Sequence, residues 1–340
     1  MTGVERIVID CDPGNGIAFS DVDDGLALAF ALAHPGVSLE GVTIVAGNTS
    51  RELGYTSARE LLSVAKANIP LSVGAADEPR QDSIVWRALL DGRRDAAAWT
   101  RDFGATMLLS PVELPGEACA VDYLIDTVRG SPGEITVAAL GPLTNVAAAI
   151  ERDPGFARDV KRIAIMGGAF NHDQMPQELN FGYDPEAAHV VLGSRAAISL
   201  IPFDVTATTL LTFAQLEFLD DGEPLQRFIK ESTLPWLRFS DSRFALGGCF
   251  LHDPLVIAAL IDPSLVRWAD VSVDVVLSDP LARGHPMRWD GTHKILGGGS
   301  LKLPENGLVR VAESVEAARF TDLLIDSIRG FRSPITEPTA

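Results

Sequence analysis

The sequence predicts an α/β fold, a single large domain with a mostly parallel central sheet flanked by helices. Apolar strand-like runs alternate with helical patterns along almost the whole chain, and no Ser/Pro-rich linker interrupts them. Residues 1–330 therefore read as one domain, followed by a tail over 331–340. Several of the apolar runs end in polar or acidic residues, as buried parallel strands do where their carboxyl ends border a crevice. With 46% hydrophobic and 22% charged residues among 340, the chain has material for a sizeable core.

The elements follow in order. Residues Val8 to Asp24 read VIDCDPGNGIAFSDVDD, an apolar strand that runs into five carboxylates, and DDGLALAFALA continues as a helix. A second strand over Leu39–Val45 ends in AGNTS, and Ser50 caps an amphipathic helix reaching Ala67. Residues 75–115 lack clean periodicity and contain Trp86 and Trp99, two of the five tryptophans, which predicts a long excursion with short helical pieces. Alternation resumes with a helix over Ala118–Arg129, a strand over Ile135–Ala139, a helix from Leu143 after the GPLTN turn, and a strand over Lys161–Met166. Asp184-Pro185 starts a helix with proline in its first turn, and a strand over Ala197–Ile201 follows. Gly222–Phe239 is helical, and His252-Asp253 opens the apolar helix of FLHDPLVIAALI. Shorter strands near Val271–Leu277 and Leu308–Val311 precede a closing helix over Val315–Ile328.

Composition excludes several classes of function. A net charge of −18 without a basic patch argues against nucleic acid or an anionic membrane as partner. Cys11, Cys119 and Cys249 are scattered without metal-ligand spacing and read as reduced thiols. The amino terminus enters a core strand at once, and no run reaches membrane length, so the expected protein is unprocessed and cytoplasmic.

Carboxylates crowded at one strand end repel each other and shift toward their protonated forms unless a cation neutralises them. Oxygen ligands without a Cys pair or His cluster favour a hard ion such as Ca²⁺ or Mg²⁺. Helix capping accounts for Asp23 and Asp24 but not for Asp10 and Asp12. Further polar residues recur where strands or helices end: Asn48, the GPLTN turn, Glu178 with Asn180, and His252 with Asp253. In a sheet of this kind such edges converge on one crevice.

These pieces resemble the inosine-uridine preferring nucleoside hydrolases. The opening Asp10-Cys11-Asp12-Pro13-Gly14 with Asp23-Asp24 is similar to that family's DxDPGxDD motif. Gly47-Asn48, Gly141-Pro142-Leu143-Thr144-Asn145, Met166-Gly167-Gly168, Glu178-Leu179-Asn180, Asp184-Pro185-Glu186-Ala187-Ala188 and His252-Asp253-Pro254 continue the match in order. The resemblance implies the nucleoside hydrolase fold and calcium-dependent hydrolysis of the N-glycosidic bond of a ribonucleoside, giving ribose and a free base through an oxocarbenium-like transition state. It implies that Asp12 both holds Ca²⁺ and takes a proton from the water that the ion activates. Asp24, Asp253 and the backbone carbonyl of Leu140 would complete the ligands; Asp23, Asn48, Glu178 and Asn180 would hold the ribose hydroxyls. Asn171, in the loop before Glu178, is the expected contact for the 5′-hydroxyl, and His252 the acid for the leaving base, its pKa raised by neighbouring carboxylates. Trp236, Phe239 and Phe244 are candidates to stack on that base, and a homodimer or homotetramer is implied.

Two departures from the family pattern stand out. Eight residues, Asn15–Val22, separate Gly14 from Asp23 where members usually have one. An outward bulge leaves Asp23 and Asp24 in place as a flexible flap or subunit contact; otherwise Asp21 replaces one of them. The HGxxG segment of many members is absent from DGRRDAAAWTRDFG, where Trp99 or Arg101 would serve a different leaving group. A catalytically altered member that binds or hydrolyses another ribosyl compound is the alternative. A phosphatase of the haloacid dehalogenase type fits less well, because Pro13-Gly14 follows the acidic pair and none of the five lysines sits at a suitable strand end. No GxGxxG follows the first strand, which disfavours a dinucleotide-binding enzyme.

Overall fold

The computed structural model describes residues 3–74, 81–116, 119–171, 177–219, 222–289, 293–295, 299–301 and 307–334. Its first strand, β1 (Glu5–Cys11), turns Ile7, Ile9 and Cys11 to one face of the sheet and Val8 to the other, all fully buried. A strand covered on both faces needs apolar residues at successive positions, which is why the run is continuous rather than alternating.

The chain continues through α1 (Asp23–Ala33), β2 (Val37–Ile44), α2 (Arg51–Val64) and β3 (Leu71–Val73). The excursion supplies two helices, α3 (Gln81–Asp91) and α4 (Ala96–Phe103). Then come α5 (Ala120–Gly130), β4 (Ile135–Ala139), α6 (Thr144–Arg152), the short α7 (Phe156–Asp159) and β5 (Arg162–Met166). After α8 (Leu179–Tyr183), α9 (Pro185–Leu192) and β6 (Ile198–Ile201), a hairpin-like insert follows: α10 (Phe203–Thr206), β7 (Leu210–Thr212), α11 (Phe213–Glu217), α12 (Pro224–Phe244) and β8 (Gly248–Phe250). The carboxyl part holds α13 (Asp253–Ile261), β9 (Val266–Val275), β10 (Pro286–Trp289), β11 (His293–Ile295), β12 (Gly299–Leu301), β13 (Leu308–Val315) and α14 (Ala317–Gly330).

Among the described residues, nine strands form the main sheet in the order β10-β9-β13-β6-β5-β4-β1-β2-β3. From β13 to β3 every pairing is parallel, whereas β9 and β10 run antiparallel along one edge. Helices cover both faces. The buried cluster on one side joins Ile9 and Ile44 to residues of α1, α13 and α14; the other joins Val8, Val137 and Ile163 to α5, α6 and α9. The chain builds outward from β1 through β2 to β3, then returns to the opposite side of β1 with β4. That reversal makes the gap beyond β1 and β4 the switch point, where ligands bind in open α/β sheets.

Sequence and structure agree on the main elements within a few residues, and the differences have local causes. The strand expected over Val271–Leu277 begins at Val266, because its early part pairs with β13 alone, is mostly not buried and carries polar residues. Helix α12 passes through Pro235 and ends at Phe244, five residues beyond the expected Phe239, where Ala245 adopts the left-handed conformation at φ 52°. Ser50 caps α2 as expected, its hydroxyl accepting from Leu53 N–H. Ala75–Arg80 and the segment 335–340 lie outside the described residues. Among the described residues no helix is long and apolar enough to cross a membrane.

The eight-residue insertion packs inward. Asn15 is buried and donates to Ser232 Oγ at 3.0 Å, while its carbonyl accepts from Ser57 Oγ at 3.0 Å. Gly16 O accepts from Leu109 N–H at 2.9 Å, which fastens the loop to the end of the excursion. Phe19 is held in left-handed backbone, φ 57°, and its ring meets Trp99 at 4.6 Å, Phe239 at 5.5 Å and Phe103 at 5.9 Å. Contacts of this kind contribute about 1 kcal/mol per pair beyond area burial, enough to hold the strained residue. Neither a flexible flap nor an outward bulge describes this loop.

Candidate active site

All but one of the cleft residues stand at or just after the carboxyl end of a strand, or at the start of a helix packed there; the exception, Asp21, comes from the insertion loop. Asp12 follows β1, Asn48 follows β2, Leu140 follows β4, and Met166 ends β5. Asp23 and Asp24 open α1, Asp253 opens α13 with His252 as its N-cap, and Glu178 is the N-cap of α8, which carries Asn180. Together with Asp21, Leu179 and Phe203 they line one cleft of about 190 Å³.

Backbone donors orient the carboxylates. Asp12 Oδ2 accepts from Asn48 N–H at 2.6 Å, and Asp12 N–H donates to Asp24 Oδ1 at 3.0 Å. Asp23 Oδ2 accepts from the N–H groups of His252 and Asp253, both at 3.1 Å, so the positive end of α13 meets that carboxylate. Glu178 accepts from Gly168, Asn180 and Phe181 N–H at 2.7, 2.8 and 3.1 Å. Asn180 Nδ2 donates to the carbonyls of Leu140 at 2.7 Å and Met166 at 3.1 Å. Close approach demands glycine at position 47, where a Cβ would stand 2.0 Å from Asp12 Oδ2, and at position 14, where it would meet Asp21 O at 2.1 Å.

Burial raises these carboxyls. Asp12 is pushed up to about 7, burial outweighing the Asn48 hydrogen bond. Asp24 and Asp253 lie well above the usual carboxylate range, first from burial and then from the charges of the neighbouring aspartates. Asp21 and Glu178 are raised by burial as well. So many acidic groups out of water need a cation to remain ionised. Among the described residues, Asp23, Asp24 and Asp253 each offer an oxygen, all within 4.8 Å of one another. An all-oxygen donor set of this kind fits a hard divalent ion.

The expected metal ligands Asp24 and Asp253 are thus grouped with Asp23, which the resemblance had placed at the ribose. Asp12 adjoins them through Asp24, and the Leu140 carbonyl is engaged by Asn180. Asn171 does not join the cleft: its side chain is exposed and its N–H donates to Asp204 at 2.8 Å. Asp21 adds a carboxylate instead of replacing one. Asp21 N–H donates to Asn48 Oδ1 and Asp21 O accepts from Asn48 Nδ2, each at 3.0 Å. Asp10 stands behind the cleft, accepting from Thr43 Oγ1 at 2.6 Å and Asn145 Nδ2 at 2.8 Å, and burial lifts it to about 7. The Asn145 bond explains the asparagine of the GPLTN turn.

The ring at the cleft is Phe203, on which His252 stacks with centroids 5.2 Å apart. Trp99 and Phe239 are engaged with Phe19, Trp236 packs on Phe239, and Phe244 is exposed, so none of these expected stacking partners lines the cleft. Arg101 is exposed and paired with Asp102. His252 Nδ1 lies 2.7 Å from Thr206 Oγ1. Burial lowers its pKa and outweighs the opposing charge of Asp23, which reverses the expectation of a raised value. A larger groove of about 520 Å³, bordered by Asp82, Trp86, Gln177 and Arg283, has no convergent acidic set among the described residues.

Comparison with known proteins gives the same reading. Residues 7–322 match the model of the family described as inosine-uridine preferring nucleoside hydrolase. Uridine nucleosidase 1 of Arabidopsis thaliana is 31% identical over 86% of this chain and 86% of its own. A pyrimidine-specific ribonucleoside hydrolase of Escherichia coli is 27% identical over 96% of this chain and 97% of its own. The solved structure of a plant nucleoside hydrolase superposes with a TM-score of 0.78 at 29% identity, covering 96% of this chain and 99% of that one. A purine-preferring ribonucleoside hydrolase from Gardnerella vaginalis follows at 0.74 and 26%, covering 96% and 99%. With the match running from the middle of β1 into α14 and the acidic cleft at the switch point inside it, the chain belongs to the inosine-uridine preferring nucleoside hydrolase family.

Proposed function

We propose that this cleft hydrolyses the N-glycosidic bond of a ribonucleoside, giving ribose and a free base. The observation that carries the reading is the convergence of Asp12, Asp23, Asp24 and Asp253 with Asn48, Glu178, Asn180 and His252 around one cleft. Breaking a ribosyl C–N bond develops positive charge on the sugar, and carboxylates and amide oxygens are the groups that stabilise it. Asp12 accepts the proton of the attacking water as its oxygen joins C1′ and the bond to the base nitrogen breaks. Asn48, Glu178 and Asn180 grip the ribose hydroxyls and orient the sugar. The base leaves with the electron pair of the broken C–N bond; His252, neutral and positioned by Thr206, steadies it with a hydrogen bond as it takes up a proton from solvent, and Phe203 fixes the imidazole plane.

Asp23, Asp24 and Asp253, with Asp12 beside them, would hold a divalent ion, and we assign calcium from the oxygen-only donor set. When bound, calcium supplies Lewis acidity toward water and the ribose hydroxyls. The reading includes a cytoplasmic location, consistent with three free cysteines, and a homodimer or homotetramer, as the family resemblance implies; size-exclusion chromatography with light scattering tests the assembly.

The deciding experiment is release of reducing sugar from a panel of purine and pyrimidine nucleosides, with added Ca²⁺ and after chelation. Ribose release that depends on the ion is the expected result, and no release from any nucleoside overturns the proposal. His252→Ala should lower turnover of natural nucleosides by about a hundredfold. Turnover of a riboside with an activated phenolic leaving group, which needs no proton, should fall far less. Equal losses on both substrates remove His252 from the leaving-group role.

A further inference from the structure

A group of opposite charge borders the acidic cleft. Arg87 of α3 and Arg94, three residues past its end, both donate from Nη2 to the backbone carbonyl of Asn48, at 3.4 and 3.1 Å. Asn48 is a wall of the cleft. Arg93 lies at the exposed rim, close enough for Asp21 to act on its charge. The helix that carries Arg87 is anchored to the body, since Arg283 pairs with Asp82 at 2.8 Å and with Glu186. Trp86, the neighbour of Arg87, packs over Gly182 of α8.

The Arg87 and Arg94 side chains are only 15% and 13% exposed, and their ion-pair partner is Asp91, itself 48% exposed and 3.4 Å from each. Nε and Nη1 of both guanidiniums are buried without a hydrogen-bond partner among the described residues. Arg94 Nε at least faces Asp91 at 3.4 Å, but Arg87 Nε and Nη1 and Arg94 Nη1 have neither a hydrogen bond nor an ion-pair contact among the described residues, and two adjacent cations so withdrawn from water are costly to hold unless an anion joins them. Burial and the like charges of Arg87 and Arg93 pull Arg94 down to about 10, against the opposing pull of Asp91. The charge of Arg87 reaches Asp12, but that leaves Arg94 and the unpaired nitrogens unexplained.

We propose that Arg87 and Arg94, with Arg93 at the rim, form an anion subsite, so that the preferred substrate is a ribosyl compound carrying a carboxylate on its base or a phosphate on its sugar. The proposal rests on the ribonucleoside hydrolase reading of the adjoining cleft. Guanidinium forks bind both groups through paired charge-assisted hydrogen bonds, and an anion drawn in beside Asn48 would offset positive charge that only the half-exposed Asp91 now answers. The subsite adjoins Asn48 and Asp21, so it replaces with charge the recognition that an HGxxG segment provides in other members.

The test uses the full-length, calcium-loaded enzyme and measures release of ribose or ribose phosphate from uridine, its 6-carboxylated form orotidine, uridine 5′-monophosphate and inosine. One of the two anionic substrates should exceed uridine in kcat/KM by at least about tenfold. Orotidine in front assigns the anion to the base, and the monophosphate in front assigns it to the sugar. Turnover of uridine or inosine equal to or better than both anionic substrates overturns the inference and leaves the hydrolase reading standing. Release from none of the four overturns that reading and the inference with it. Arg87→Gln and Arg94→Gln should each reduce the ratio of anionic to neutral kcat/KM by about tenfold, mainly through KM. An unchanged ratio in folded variants removes these residues from the subsite. If either variant fails to fold, the wild-type ratio decides alone.

Discussion

Asp12→Ala should lower kcat by about a thousandfold while the protein still folds. The carboxylate stands at the end of β1, its Oδ2 fixed by the Asn48 N–H, and in the proposed reaction it is the group that receives the proton of the attacking water. Truncation leaves that N–H unpaired, a cost of about 1–3 kcal/mol. The loss is partly offset, because one member of a crowded acidic set disappears and the repulsion on Asp24 falls. Asp12→Asn separates the two effects: its amide oxygen can still accept from Asn48, yet it is too weak a base to take a proton. Both variants should therefore be nearly inactive, with the asparagine form closer to the parent in melting temperature. An Asp12→Ala enzyme that keeps more than about a tenth of the parent turnover sinks the role of general base.

The second large effect concerns the ion and pH together. In the fold, Asp10 and Asp12 titrate near about 7 against an ordinary value of 3.8, and Asp21, Asp24, Asp253 and Glu178 are shifted in the same direction. A carboxyl raised by folding binds its proton more tightly in the native state. Its stabilising contribution is complete below the unfolded value and is lost as pH rises through the folded one. Chelated protein should therefore lose stability between about pH 4 and pH 7, as buried groups are forced to ionise without compensation. Calcium at about a hundred times its dissociation constant adds roughly 2.7 kcal/mol, or about 4 °C in melting temperature for a chain of this size. The gain should be larger at pH 8 than at pH 5, because protons no longer compete for the carboxylates. Differential scanning fluorimetry across that range, with chelator and with calcium, reads both effects. A melting temperature indifferent to calcium at pH 8 sinks the assignment of the ion.

Much of the site was legible because its residues lie at ends of apolar runs, and such ends converge at a switch point whatever the connecting loops do. Asp12, Asn48, Glu178, Asn180 and Asp253 were visible for that reason, and Asp24 only through the family resemblance. Asn171 failed on the same logic: it lies in a loop whose length leaves its direction undetermined, and Asp204 draws its backbone elsewhere. Asp21 was visible as a carboxylate, but its place depended on whether the insertion turns inward. Three aromatic contacts of Phe19 decide that, and no periodicity records them. Phe203 carried a signal that went unused, a bulky ring just past the Ile198–Ile201 strand, after Pro202. The arginines of the excursion had no signal at all, since their meeting at the Asn48 carbonyl depends on how α3 lies across α8.

The inward packing of Asn15–Val22 also bears on how such a chain can change over generations. Phe19 fills the space among Trp99, Phe103 and Phe239, rings contributed by two separate helices. Shortening the loop to a single residue would strand those rings against water and remove Asp21 from the cleft in the same stroke. Replacing the rings first would release the loop and disorder the carboxylate it positions. Each step alone is harmful although their combination need not be, so loop and aromatic partners form a linked inheritance. A lineage that has acquired them is held there by epistasis, and grafting the loop alone into a relative with the short spacing should yield a poorly folded protein.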